Sequence, residues 1–234
     1  MNNETTYILG HSPAEIQRLE DQAKILRPIT ERLLVNAGIG AGMRVLDIGC
    51  GAGDVAMLAA ELVGPSGSIV AVDSNSQVLA VARKRAQTSG LRHISFKESS
   101  AEAFSDKDSF DLVVGRYLLM YQSDPAALLR TAAHLVKPGG SIAFHEFRLG
   151  QKCHSLPNVP LFELIEKLIR MAFSHALPNF DAGDRLVQPF SDAGLPQPNF
   201  FSETQIWSGA NAPYSWLVGT LRSLLPQLRR MGIE

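Results

Sequence analysis

Cysteine is scarce: Cys50 and Cys153 are the two in 234 residues, and no C-x-x-C spacing joins them. That argues against a zinc site or a disulfide framework and makes a reducing cytoplasm the default compartment. An excess of one charge is also missing. With a formal net charge of -1, nothing recommends a nucleic acid backbone or an anionic membrane as a partner. No apolar stretch is long enough to span a bilayer. The first residues, Met1-Asn2-Asn3-Glu4, lack the basic segment and apolar run of a signal peptide. There is no internal repeat and no low-complexity tract. What the chain does have is apolar content, 45% hydrophobic against 19% charged. That suffices for one compact α/β domain with small lids.

The first segment reads as helix. Ser12-Pro13-Ala14-Glu15 forms a capping box with proline at the first helical position, and Ile16, Leu19, Ala23 and Leu26 recur at helical spacing. Pro28 should break or kink this run, with a second short helix continuing to Gly38. After Gly42, short apolar strands alternate with helices: strands at 43–48, 68–73, 93–97, 110–115 and 141–147, helices at 54–63, 77–88 and from Asp124-Pro125 to Val136. Lys137-Pro138-Gly139-Gly140 reads as a turn. Alternation of this kind implies a parallel, doubly wound sheet with its ligand at the carboxyl ends of the strands. Beyond Gly150 the pattern loosens. A helix over 161–176 is either a lid or an ordinary packing helix, 185–193 looks like a crossover helix, and 199–207 is a weak strand. From Pro213 a last helix, containing Pro226, runs almost to the terminus.

The central signal is Val45-Leu46-Asp47-Ile48-Gly49-Cys50-Gly51-Ala52-Gly53-Asp54. Glycines between a strand and a helix let the backbone turn tightly and approach a ligand closely. Asp73 ends the next strand about 20 residues on, where a carboxylate can accept hydrogen bonds from ribose hydroxyls. A pyrophosphate would need free N–H groups and positive potential at this helix start. Asp54 stands there, with Asp47 just before the glycines. Two carboxylates repel a pyrophosphate but suit S-adenosylmethionine, whose amino acid end carries an ammonium and whose sulfur is cationic.

The stretch from about Met43 to Glu146 resembles the core of class I S-adenosylmethionine-dependent methyltransferases. The glycine segment is similar to the family's first motif and Val70-Ala71-Val72-Asp73 to its second. Phe110-Asp111-Leu112-Val113-Val114-Gly115 and Leu135-Val136-Lys137-Pro138-Gly139-Gly140 are similar to the strand and turn that follow. The resemblance implies a Rossmann-like sheet with S-adenosyl-L-methionine as cofactor. It further implies that Gly49 and Gly51 line the methionine portion, that Asp73 binds the ribose and that Ser74 flanks the adenine. Ser100 and Ala101 would meet the adenine edge, and Arg116 would lie near the methionine portion. Many members carry an aspartate after the third strand; here Glu98-Ser99-Ser100-Ala101-Glu102 offers a neutral hydroxyl, a weaker acceptor, or Glu102 in its place. After the fourth strand, Gly115-Arg116-Tyr117-Leu118 is neither the Asn-Pro-Pro-Tyr type motif of amino-group methyltransferases nor the carboxylate of metal-dependent ones. The implied enzyme is metal-free and acts on a small molecule. Tyr7-Ile8-Leu9-Gly10-His11 resembles an entry lid of bacterial small-molecule methyltransferases.

Methyl transfer needs alignment and a dry site, and a base only where the nucleophile must lose a proton. His145 and Glu146 lie near the end of the fifth strand, where alternation turns one of them into the pocket; His145 is the candidate base against a structural, hydrogen-bonded alternative. His11 and His154 read as lid or surface residues. Tyr7, Tyr117 and Tyr121 are hydrogen-bonding candidates, the last two against core packing. Gln22 is a candidate for the methionine carboxylate against plain solvent exposure, and Cys50 reads as a small packing residue. Four stretches are expected: a helical lid over 1–40, the cofactor-binding core over 41–150, a helical insertion acting as a lid over 151–180, and a C-terminal part of the core over 181–234. That last part would lack the sheet's usual seventh strand, because the chain is truncated or another chain supplies it. The exposed edge of the fifth strand would then favour a homodimer. A cyclase or decarboxylase using the sulfonium only as a charge, and a non-catalytic binding protein, remain open alternatives.

Overall fold

The computed structural model describes residues 9, 13–107 and 109–233. Five parallel strands form one sheet in the order β3-β2-β1-β4-β5: β1 (Arg44–Ile48), β2 (Ser68–Asp73), β3 (Ile94–Glu98), β4 (Phe110–Arg116) and β5 (Val136–His145). The order reverses between β1 and β4, so the glycine segment after β1 opens at the topological switch point. The sheet is apolar on both faces, as parallel sheets require. Leu46, Ile48, Val70, Val72, Val113 and Phe144 pack on one side, and Val45, Ile69, Ala71, Leu112, Val114 and Ala143 on the other.

The helices are α1 (Pro13–Asn36), α2 (Asp54–Val63), α3 (Ser76–Thr88), α4 (Pro125–Leu135), α5 (Pro160–Ala176), α6 (Val187–Asp192) and α7 (Tyr214–Arg230). Local chemistry sets several of their starts. Asn75 accepts from the Gln77 and Val78 amides at the start of α3, and Asp124 from Ala127 at that of α4.

Contrary to the sequence reading, α1 runs unbroken through Pro28. Pro28 and Lys24, whose carbonyl loses its donor, both lie on the exposed face, where water replaces the missing bond. The helix ends instead at Asn36, with Gly38 at φ of 87° just beyond it. There the Ile39 amide bonds the Leu34 carbonyl and the Gly38 amide that of Val35, a Schellman pair.

The Lys137–Gly140 turn is present as a bulge in β5. Phe110 pairs with Val136 while Leu112 pairs with Ser141, so four residues loop out. A side chain at Gly140 would lie 2.7 Å from the Asp111 carbonyl. β5 stops at His145 rather than at Phe147. β4 ends opposite it at Arg116, and Tyr117 then turns to φ of 56°, leaving Glu146 no strand to pair with.

The stretch 199–207 is not a strand. It is irregular, with Phe200 66% and Ile206 92% exposed, because neither of its faces finds a core to cover. No strand is therefore paired to the outer edge of β5 among the described residues. In the region expected to hold a crossover helix, the short α6 packs on α4, while α5 and α7 pack on one another through Ile169, Ala172, Phe173, Leu224 and Leu228. No helix among the described residues is long and apolar enough to cross a membrane.

Candidate active site

The carboxyl ends of the strands open into one cleft of about 2920 Å³. Its lining includes Gln22, Gly49, Gly51, Asp73, Ser74, Ser100, Ala101, Arg116 and His145. The structure thus brings these candidates to one cleft; Tyr7, His11 and Ser12, the last expected to cap the first helix, lie outside the described residues. Leu9, the described residue of that same lid segment, is buried in the main core.

The glycine loop is held from below by the β2 carboxylate. Asp73 Oδ2 accepts from the Gly51 amide and Oδ1 from the Asn75 amide, each at 2.9 Å. Gly49, Gly51 and Gly53 all have left-handed φ, at 70°, 51° and 84°. A side chain at Gly49 would also press on Leu118, 3.0 Å away. Carboxylates dominate the surroundings. Asp47 is 1% exposed and its Oδ2 has no hydrogen-bond partner. Burial pushes its carboxyl up to about 8, Asp54 and Asp73 adding to the rise and Arg116 opposing it. Asp54 pairs with Arg85 at 2.7 Å and more loosely with Arg116 at 3.6 Å.

Arg116 is therefore partly committed to the protein. Its guanidinium also donates to Thr30 Oγ1 on α1 at 3.1 Å, tying that helix to the end of β4. Gln22 is buried, not solvent-exposed: its carboxamide oxygen accepts from Arg18 at 2.8 Å and from the Trp216 indole at 3.2 Å. Ser100 Oγ accepts from the Ala103 amide at 3.2 Å, so it caps the turn that follows, while Glu102 is exposed beside it. Cys50 is buried, which pushes its thiol up and suits a packing role.

Aromatic rings line part of the same cleft. Tyr117 lies 5.0 Å from His145 and 5.1 Å from Phe147, and Phe147 stacks on Trp216 at 6.1 Å and 15°. Burial, with Arg116 nearby, pushes the His145 imidazole down to about 4, so it is neutral at pH 7. Burial likewise pushes Tyr117 and Tyr121 phenols well up, so both stay protonated. Glu146 faces the opposite side of β5 from His145, with Oε1 on the Leu118 and Leu119 amides at 2.9 and 2.8 Å. A left-handed tyrosine costs on the order of 1–3 kcal/mol. These two bonds, with Tyr117 N–H donating to the His145 carbonyl at 2.8 Å, hold it there.

Sequence reasoning missed Thr30, Phe147 and Trp216. Phe147 was visible one residue past Glu146, whereas nothing local marks Trp216, which reaches the site only because α7 folds back on α1.

Comparison with known proteins agrees with this geometry. The methyltransferase-domain family matches residues 39–192. An aklanonic acid methyltransferase from Streptomyces sp. (strain C5) is 36% identical over 70% of this chain and 73% of its own length. A ubiquinone biosynthesis O-methyltransferase from Aliivibrio fischeri (strain MJ11) is 28% identical over 73% and 78%. A ubiquinone/menaquinone biosynthesis C-methyltransferase from Pasteurella multocida (strain Pm70) is 27% identical over 71% and 67%. Among solved structures, a SAM-dependent methyltransferase from Aquifex aeolicus superposes with a TM-score of 0.55 at 22% identity, covering 62% of this chain and 78% of that one, a likeness of fold. Strand order, glycine loop and sequence similarity together establish that this chain belongs to the methyltransferase-domain family and is an S-adenosylmethionine-dependent methyltransferase.

Proposed function

We propose that this enzyme methylates a planar, aromatic or quinone-like small molecule without a metal ion. The observation that carries the reading is the row of rings lining the cleft: Tyr117, Phe147 and Trp216 in successive contact. Flat π-faces stack on such a wall, and the relatives named for aklanonic acid and ubiquinone act on molecules of that kind. Arg116, after β4, has the wrong charge to hold a metal there.

The cofactor fits the residues present. Asp47 Oδ2, buried without a partner, together with Asp54 makes the region beneath the loop receptive to the cofactor's ammonium. Asp73, oriented by two amides, has acceptor capacity left for ribose hydroxyls. Ser74, Ser100 and Ala101 line the adenine end, and Gly49, Gly51, Gln22 and Arg116 the methionine end. S-adenosylmethionine, when bound, supplies an electrophilic methyl group. The protein's part is to hold the acceptor in line and keep water out, through the rings on one side and α1 on the other.

Calorimetry tests the cofactor: S-adenosylmethionine should bind and NAD should not. Asp73→Ala should weaken S-adenosylmethionine binding by about 1–3 kcal/mol, roughly 5- to 150-fold. Unchanged affinity would remove Asp73 from the site. Release of S-adenosylhomocysteine during turnover marks methyl transfer; turnover without it would favour a cyclase or decarboxylase instead, and no turnover on any planar acceptor a binding protein.

The reading includes self-association through the outer edge of β5, supported by the unpaired ladder there. A dimer mass by light scattering is expected, reduced to monomer by Ile142→Lys; a monomer at every concentration would discard it.

A further inference from the structure

Gln22 uses only half of its hydrogen-bonding capacity within the protein. It is 9% exposed and lines the cleft. Its carboxamide oxygen accepts from Arg18 Nη1 at 2.8 Å and from the Trp216 indole Nε1 at 3.2 Å. A guanidinium and an indole N–H can only donate, so the oxygen has to face them and the amide has one orientation. The NH2 group is then left over. Among the described residues nothing accepts from it, and unlike Glu146 Oε2 or Asp47 Oδ2 it is not sealed from solvent. In a residue this buried, the opening is the cleft that it lines. Two N–H donors thus face the cleft without a protein acceptor, and exceptions of this kind call for a functional explanation.

Gln22 belongs to the side of the methionine end that adjoins the rings. The Arg18 guanidinium that it binds acts on the Tyr117 and Tyr121 phenols, whereas the Asp47 carboxyl under the glycine loop responds to Arg116 and to neighbouring carboxylates. Trp216, its other partner, stacks on Phe147, and Phe147 touches Tyr117. An indole N–H bond lies close to the plane of its ring, so the carboxamide stands at the edge of the row and not over a face. A flat molecule lying along the row brings its own edge to those N–H groups.

We propose that Gln22 is a specificity-determining residue: its carboxamide N–H groups donate to a ring carbonyl oxygen at the edge of the planar methyl acceptor. The inference rests on the planar-substrate reading above and narrows it to carbonyl-bearing rings over bare aromatic ones. A ring carbonyl holds two in-plane lone pairs and no hydrogen, which suits a group that can only donate. Selection comes from the cost of the wrong ligand. A ring with hydrogen on that edge strips water from the N–H groups and gives no bond back, and a site built to bond a substrate oxygen rejects the analogue without it. Arg18 and Trp216 hold the amide from two sides, so it is oriented before the substrate arrives.

The test uses the full chain, S-adenosylmethionine and two probes, 2-hydroxyanthraquinone and 2-hydroxyanthracene. The probes share a skeleton and a hydroxyl group and differ in the two ring carbonyls. In calorimetry at pH 8, the native protein should bind the anthraquinone about tenfold or more tightly than the anthracene. Gln22→Glu, ionised beside Arg18, keeps an oxygen for Arg18 and Trp216 and removes the N–H donors. It should lose most of that preference while its affinity for S-adenosylmethionine stays within about threefold of the native value. The native comparison needs no variant, so a failure of Gln22→Glu to fold leaves a decisive measurement. Equal binding of the two probes to the native protein overturns the role of Gln22 and leaves the planar-substrate reading standing. So does a preference kept in Gln22→Glu; a loss of S-adenosylmethionine affinity alongside it would assign the N–H groups to the methionine carboxylate. Absence of binding by either probe to the native protein overturns both readings.

Discussion

Replacing Arg18 by alanine lowers the stability of the fold by about 3–5 kcal/mol in urea unfolding, with the denaturant slope unchanged. Arg18 is 4% exposed and Glu15 1%, and two guanidinium nitrogens reach the Glu15 carboxylate at 2.8 and 2.7 Å. The same carboxylate accepts from Ser223 on α7 at 2.8 Å, and Arg18 also donates to Gln22, which takes the Trp216 indole proton. The network fastens α1 to α7, the pair of helices that brings Trp216 to the ring wall. Truncating Arg18 leaves a carboxylate buried without the guanidinium's charge, and that penalty is larger than the net contribution of the pair. The double variant Glu15→Leu with Arg18→Met removes both charges at similar volume and should recover most of the loss. A loss below about 1 kcal/mol in Arg18→Ala would show that the cluster is solvated in solution.

Asp47→Asn produces the other large effect, and its sign depends on pH. The folded carboxyl is pushed up to about 8 from an ordinary value of 3.8. Between these values the folded state holds a proton that the unfolded state has released, so the contribution of Asp47 to stability falls as pH rises from about 4 to about 8. Above 8 it is flat. An asparagine carries no such dependence. The difference in unfolding free energy between native and Asp47→Asn protein should therefore shift toward the variant across that window, by up to about 6 kcal/mol. Taking the difference cancels the opposite trend of His145, whose depressed imidazole costs stability as pH falls from 6.5 toward 4. S-adenosylmethionine should reverse the advantage. An ammonium near an ionised carboxylate favours the native residue, so the variant should bind the cofactor about tenfold or more weakly. A pH-independent difference would place the titration elsewhere; equal cofactor affinity would separate Asp47 from the methionine site.

How the site became legible depends on distance along the chain. Val45 to Asp54 carries its strand, turn and helix start in consecutive residues, and Asp73 ends the next strand by simple alternation. Those features, and the cofactor class they suit, follow from local periodicity and charge. His145 and Glu146 were both visible at the end of the fifth strand, but strand alternation alone does not say which of the two joins the ring wall and which caps a pair of amides. That choice depends on Tyr117 turning left-handed at the end of β4, a consequence of where β4 and β5 stop together.

The sequence alone determined the parallel α/β sheet and the glycine loop between its first strand and the following helix, because each rests on residues close in the chain and on burial periodicity. Tertiary structure decided the rest. It let α1 pass through Pro28, since that face meets water. It left 199–207 irregular, since no core covers it. It brought Trp216 onto Gln22, 194 residues away, because α7 could bury its apolar side only against α1 and α5. Such pairings satisfy buried donors and apolar faces between elements far apart in the chain, and no spacing of nearby residues records them.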